Sequence, residues 1–455
     1  MKTRPGIRVL TVACGCAVSG YSLQAQASGF ALIEQSVTGM GTAYAGGAAQ
    51  AGDASTVFFN PAGLTRLPGN QFETAVHLVI PQARFNDAGS TNVFTAPLGG
   101  GNGGNAAAVA AVPNLYLSHQ VNDRLFFGLG INPPFGLRTD YDDSWVGRYH
   151  ADKSELLTIN VNPALAFKAT DRLSLGAGIN IQYADATLTN AIDIGTLNAL
   201  PAPLGGFGGA FDALGLVPGA SDGYGKVKGD DISLGYNAGL LFEVDEGTRV
   251  GLHYRSSIEH TLEGKADFTV PGNGVIEGAT GLFRDTNVKA TIRLPDSLSA
   301  SVYHAITPNW ALMGDITWTN WDRVPELRIE FDNPAQPDSV TTIKWEDTYR
   351  YSLGAAYKPD NRWTWRTGVA YDETPVPSAR SRTPRIPDAD RLWLAFGASY
   401  AHSDRLQLDF AYAHIFVNDP KITKTATGEN ALRGALNGSY DSQVDLLSAQ
   451  LRWMF

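Results

Sequence analysis

Leu157-Thr158-Ile159-Asn160-Val161-Asn162-Pro163-Ala164-Leu165-Ala166-Phe167-Lys168 alternates an apolar residue with a polar or small one from end to end. A period of two is that of a β-strand with one greasy face. After Ala169-Thr170-Asp171-Arg172 the pattern restarts, with Leu173, Leu175, Ala177, Ile179, Ile181 and Tyr183 set against Ser174, Gly176, Gly178, Asn180 and Gln182. Two such runs across a tight turn predict an antiparallel hairpin. The unit recurs at Ile232 to Val244 with Val250 to Ile258, at Ser297 to His304 with Trp310 to Trp318, at Tyr349 to Lys358 with Trp363 to Tyr371, and at Leu392 to Tyr400 with Leu406 to Phe416. Short turns alternate with long connections at 86–110, 189–225 and 373–391. With strands from Gln71 to Phe85, Val112 to His119 and Leu125 to Asn132, and a final one ending Leu451, Trp453, Phe455, the count is fourteen. Alternation with such unequal connections predicts an all-β, 14-stranded antiparallel transmembrane barrel. A soluble β-sandwich is the alternative, and it has no need of an apolar face on every strand opposite a small or polar one.

Composition agrees with a membrane setting. Of 455 residues 44% are apolar and only 18% charged, while Gly contributes 49. The net charge of −10, with no basic block, lacks the footprint that phosphate backbones select, so nucleic acid is excluded as a partner. Away from the N-terminus no stretch offers about 20 consecutive apolar residues, which excludes a helical membrane protein. Tyr183, Trp310, Trp318, Tyr349, Tyr351, Tyr357, Trp363, Trp365, Tyr371, Tyr400, Tyr412 and Trp453 lie near strand ends on the apolar face, as interfacial girdles require.

Lys2, Arg4 and Arg8 precede an apolar run from Val9 to Val18, and Ala25-Gln26-Ala27 supplies small residues for cleavage. Residues 1–27 therefore read as a signal peptide. Cys14 and Cys16 leave with it, which removes disulfides and thiol catalysis from consideration. A lipid-modified Cys16 is the rival, with Ala13-Cys14-Gly15 a poor lipobox. Residues 71–455 are assigned to the barrel and 28–70 to a preceding segment that is rich in Gly and Ala, lacks alternation, and carries Phe30, Leu32, Val57, Phe58 and Phe59. Such a segment hangs in the periplasm or folds into the lumen.

Its motifs carry a resemblance. Ser28-Gly29-Phe30-Ala31-Leu32-Ile33-Glu34-Gln35, Gly39 to Gly47, and Ser55 to Leu64 with Asn60-Pro61-Ala62 resemble the N-terminal hatch of the FadL/TodX family of outer-membrane transporters for long-chain fatty acids and other hydrophobic compounds. Asn132-Pro133-Pro134-Phe135-Gly136-Leu137, Trp145 to Tyr149, Tyr254 to Ser257, Tyr371 to Val376 and Arg382 to Arg391 match in order, so the resemblance covers the mature chain. It implies a bacterial outer-membrane location and a hatch, bearing the motif Asn60, Pro61, Ala62, that plugs the lumen. It also implies a kink in the third strand that opens the wall sideways. Pro133 and Pro134 cannot donate to a ladder and Gly136 relaxes the backbone beside them, so Asn132, Pro133, Pro134 and Gly136 are the expected lateral opening. By themselves the prolines also fit a strand that simply ends at its rim.

Cargo contacts are expected in two places. The extracellular run Leu197, Leu200, Leu204, Phe207, Phe211, Leu214, Leu216 is greasier than a solvated loop, and Phe207 and Phe211 either collect amphiphiles or form a core within the loop. Alternation points His253, Arg255, Lys289, Arg293, Arg350 and Arg366 inward, where Arg255, Arg350 and Arg366 are candidates for a carboxylate site. Ion pairing with Glu259, Asp315 and Asp409 is the competing role. No nucleophile–base set, phosphate loop or metal-ligand spacing is present, so neither enzyme, cofactor nor metal is expected. The reading is uptake of hydrophobic compounds, fatty acids first, by a monomer embedded in outer-membrane lipid and inserted by the barrel assembly machinery, which reads the terminal aromatic strand. Monoaromatic hydrocarbon uptake, or a surface barrel serving as adhesin or phage receptor, stays open.

Overall fold

The computed structural model describes residues 29–455, so the signal-peptide assignment lies outside the described residues. Among the described residues twenty strand segments are linked in one sheet; Glu326–Phe331, Ser339–Thr342 and Lys421–Lys424 lie in the connections, and the other seventeen, three pairs of which continue one another, make fourteen strands. In chain order these are β1 (Asn70–Asp87), β2 (Ala110–Gln120), β3 (Leu125–Asn132 and Gly136–Asp140), β4 (Lys153–Lys168), β5 (Leu173–Asp193), β6 (Asp222–Glu243) and β7 (Thr248–Arg255 and Ile258–Thr269). They continue as β8 (Thr286–Leu294 and Ser297–Ala305), β9 (Trp310–Thr319), β10 (Thr348–Tyr357), β11 (Trp363–Asp372), β12 (Arg391–Ala401), β13 (Leu406–Val417) and β14 (Leu436–Met454). The sheet closes because β14 pairs antiparallel with β1, from Gln71 opposite Met454 to Asp87 opposite Gly438. Closure removes both edges, which a lipid-exposed sheet could not leave unpaired.

Outward faces carry the apolar belt. Leu234 is 69% and Ile232 67% exposed, while inward Asn237 and Asn180 are fully buried. Two breaks shift this alternation. Ser256-Ser257 in β7 and Pro295-Asp296 in β8 each insert a residue, and an odd insertion reverses which parity of residues faces inward between the two sides of the break. The inward expectation for Lys289, Arg293 and Glu259 fails for that reason. All three stand on the exposed outer face, where Arg293 ion-pairs with Glu259. His253, Arg255, Arg350 and Arg366 precede or lie away from these breaks and do point inward.

The segment before β1 fills the lumen with helices α1 (Val37–Met40), α2 (Gly47–Gln50) and α3 (Thr56–Phe59) and a 3-10 turn at Pro61–Arg66. Its backbone lies against wall positions where no side chain fits. A Cβ at Gly368 would come within 2.1 Å of Thr42 backbone, and one at Gly176 within 2.3 Å of the Ala62 nitrogen. The small residues on the strands' inner face are thus the seat of the plug.

Candidate functional site

β3 breaks and resumes rather than ending, so Pro133, Pro134 and Phe135 interrupt the wall from within. Its first segment pairs with β2 from Gln120 opposite Phe126 to Leu115 opposite Ile131, and its second pairs only with β4. Between β2 and the outer half of β3 the ladder is missing. The hatch fills the place: Leu32 N donates to Pro134 O at 2.9 Å and Gly136 N donates to Phe30 O at 2.9 Å, making Ala31 and Phe135 an antiparallel bridge. Gln35 Nε2 donates to Pro133 O at 2.8 Å, and Asn132 Nδ2 donates to Gln35 Oε1 at 2.9 Å. On the β2 side Asn114 Nδ2 donates to Glu34 O at 2.8 Å.

Other contacts fix the hatch to the wall. Gly29 N donates to Asp388 Oδ2 at 3.1 Å, and Asp388 is ion-paired with Arg391. Asn60 Nδ2 donates to Ala48 O at 2.7 Å and to Leu240 O of β6 at 3.0 Å, while its Oδ1 caps Ala62 N at 3.1 Å. Asn-Pro is suited to this corner: the amide caps the turn, and Pro61 occupies the first position, where its missing N–H costs nothing. Glu34 is fully buried, and neither carboxylate oxygen has a partner from another described residue. Burial pushes its carboxyl up to about 7 against the pull of Arg391 and Arg350.

Three cavities lie along the lumen. An upper one of about 140 Å³ opens among Ile192, Phe268, Phe283 and Phe331. The middle one, about 90 Å³, is lined by carbon from Leu137, Leu156, Leu262, Ile292 and Ile329 and is floored by Phe30. Leu188, Val227, Ile329 and Arg385 line both. The lower one, about 130 Å³, runs from Leu32 and Phe59 to Pro134 and Phe135 at the break. Phe30 stands between middle and lower cavities, its ring 4.9 Å from Trp321, 5.6 Å from Trp345 and 5.9 Å from Phe135.

Arg385 lines both upper cavities, and the two carboxylates of the middle one, Glu155 and Glu326, are ion-paired with Lys153 and Arg328. Arg385 Nη1 donates to Ser154 Oγ at 2.9 Å and, at 3.4 Å, to the carbonyls of Lys153 and Thr189. No carboxylate pairs with it among the described residues. Burial pulls its pKa down to about 10, so it stays a cation at neutral pH. The motif Arg382 to Arg391 marked this segment in the sequence, but nothing in a period-two reading places a loop residue in the lumen.

The candidate arginines divide. Arg255 and Arg350 both line the lower cavity. Arg255 Nη1 donates to Asn180 Oδ1 at 2.7 Å, and its guanidinium lies 4.2 Å from the Phe58 ring. Arg350 Nη2 donates to Ala43 O at 3.0 Å. Arg366 is elsewhere, its Nη1 2.5 Å from Ser399 Oγ. None of the three is ion-paired among the described residues, and Asp315 and Asp409 instead accept from Ser301, Thr317, Ser399 and Gln407. Phe207 and Phe211 pack at 5.3 Å in a cluster with Ile194, Leu197, Val270, Ile276 and Phe283, so that run joins a core shared with the next loop, while Leu204 and Val217 stay exposed.

A closed fourteen-stranded barrel with a folded plug, a patched break in its wall and carbon-lined cavities defines a class: a plugged outer-membrane channel for apolar molecules. Residues 18–455 match the family model described as outer membrane protein transport protein (OMPP1/FadL/TodX), and the chain belongs to that family of outer-membrane transporters. It is 33% identical to a long-chain fatty acid transport protein of Escherichia coli O6:H1, over 92% of this chain and 93% of that one. A crystal structure of a Pseudomonas aeruginosa FadL homologue superposes with a TM-score of 0.84 at 27% identity, covering 94% of this chain and all of that one. The Pseudomonas putida toluene transporter TodX shares the fold at 20% identity and a TM-score of 0.65, over 89% and 94% of the two chains.

Proposed function

We propose that this chain takes up long-chain fatty acids, which enter among the extracellular loops, rest in the two upper cavities with the carboxylate on Arg385, and leave sideways through the break in β3. Arg385 carries the reading. A buried guanidinium without a carboxylate partner, at the junction of two carbon-lined cavities, suits a molecule with a long apolar chain and one anionic end. Each methylene moved from water into such a lining gains about 0.8 kcal/mol. A lateral exit keeps that gain, since the chain passes from cavity to bilayer without crossing water. Monoaromatic hydrocarbons, as in TodX, are the second reading, favoured by the carbon lining of the middle cavity. In either case the chain works as a channel and not an enzyme, as a monomer surrounded by outer-membrane lipid and inserted by the barrel assembly machinery through its Phe455-terminated strand. Residues 1–27 are removed on export and 28–70 form the hatch. Titrating the purified barrel with oleate and with toluene tests cargo. Oleate binding that weakens about tenfold in Arg385→Gln supports the acid, at 1.5–3 kcal/mol for a lost charge-assisted bond. Toluene binding with no oleate binding would overturn it.

A further inference from the structure

The lower cavity differs from the two above it. One side is carbon, from Leu32, Phe59, Pro134 and Phe135, and the other carries the hydroxyls of Ser297, Ser299, Thr317, Thr319 and Thr348 together with Asp315, Asp372, Arg255 and Arg350. Three lining residues hold donors that have no acceptor among the described residues: Arg350 Nε, the Tyr44 hydroxyl and the Trp321 indole N–H. These residues are 6%, 2% and 0% exposed, so bulk water does not serve them. Buried donors are almost always paired, and three unpaired ones on a single cavity mark a place for an acceptor that arrives from outside the chain. Arg350 is held ready for it. Ala43 O fixes its Nη2 at 3.0 Å, and the Tyr44 and Trp393 rings lie 5.7 Å and 5.2 Å from its guanidinium carbon. Of the two acids on this wall, Asp315 is turned to the hydroxyls of Ser301 and Thr317, and Asp372 stands opposite Arg350 across the β10–β11 ladder.

We infer that the lower cavity is a second station for the polar head of the cargo, on the exit side of Phe30. The carboxylate that rested on Arg385 is received by Arg350 Nε, the Tyr44 hydroxyl and the Trp321 N–H, while its alkyl chain lies along Leu32, Pro134 and Phe135 and points into the break. The inference rests on the fatty-acid reading and adds to it: the head is passed between two cations on opposite sides of the hatch's first residues. A pure hydrocarbon gains nothing from this wall, so the station favours cargo with a polar end.

The test uses an eighteen-carbon fatty acid with a photoreactive diazirine beside its carboxyl, irradiated with the full-length barrel in detergent and mapped by peptide mass spectrometry. Expected in the wild type is labelling of peptides from two places, around Arg385 and around Tyr44 and Trp321. In Arg350→Gln the lower label falls at least tenfold while the upper label holds, and Tyr44→Phe, which keeps the ring and its packing, lowers it severalfold. Lower labelling equal in wild type, Arg350→Gln and Tyr44→Phe would overturn the station. So would upper labelling alone in the wild type, which assigns the lower cavity to water only. Labelling at neither place would remove the fatty-acid reading itself, and this inference with it.

Discussion

β3 and β7 are both interrupted, yet only one of them leaves a hole. In β7 the chain breaks at Ser256-Ser257, and the wall mends itself: Ser256 N donates to Tyr236 O at 2.9 Å and Ser256 Oγ accepts from Tyr236 N at 2.9 Å, so β6 recovers both bonds from the strand that failed it. In β3 two prolines remove the donors, and the two remaining bonds are completed by Phe30 and Leu32 of the hatch. On the proposed lateral route, a break serves as a doorway when its repair belongs to a different part of the chain. The patch on β3 is such a part, whereas the patch on β7 is covalently the wall.

Replacing Pro133 and Pro134 with Val and Thr should have the largest effect. With ladder donors restored, at about 1 kcal/mol for each bond, β3 mends as β7 does, and uptake of radiolabelled cargo is expected to fall by about tenfold or more in barrels that still fold. Gln35→Ala works from the other side. It removes the bonds to Pro133 and Asn132, and loosening the patch by about 1–2 kcal/mol should raise hydrogen exchange at the Leu32 and Gly136 amides about tenfold. Ser256→Ala sharpens the contrast, since losing one bond should cost about 1 kcal/mol in a denaturant titration while cargo uptake stays unchanged.

The smallest effect concerns pH. Burial first, then Asp372, holds the Glu34 carboxyl up at about 7, against the pull of its own backbone N–H, Arg391 and Arg350. The folded state therefore binds this proton more tightly than the unfolded one, and the stability it contributes is present below the ordinary carboxylate range and lost as pH rises through about 7. Protection factors at the hatch amides, with the intrinsic rise of exchange with pH divided out, should fall between pH 4.5 and about 7, and Glu34→Gln should flatten that fall.

The barrel was legible because period-two alternation is a local signal, repeated from Gln71 to Phe455. Pro133-Pro134 announced a break for an equally local reason. The inward placement of Lys289 and Arg293 failed where alternation carries no memory: a single inserted residue at Pro295-Asp296 reverses every face before it, and an insertion is invisible until partners are known. Arg385 was missed for another reason. It sits on a loop that folds back into the lumen, and its role comes from cavities assembled by distant strands, from Leu156 to Ile329. That Ser256 mends the wall whereas Pro134 does not was also beyond the sequence, because both mark irregular backbone and only the neighbour's hydrogen bonds tell them apart.

On the proposed lateral route, the hatch's first residues are a removable patch on the gap in the wall. Ala31 and Phe135 face each other as a non-hydrogen-bonded antiparallel pair, at a separation a disulfide spans, and the chain has no other cysteine after residue 16. The deciding measurement is uptake by Ala31→Cys/Phe135→Cys, oxidised and then reduced. The expected result is a block on oxidation and recovery with dithiothreitol. Equal uptake in both states would mean that cargo leaves by another route and that the patch never has to move.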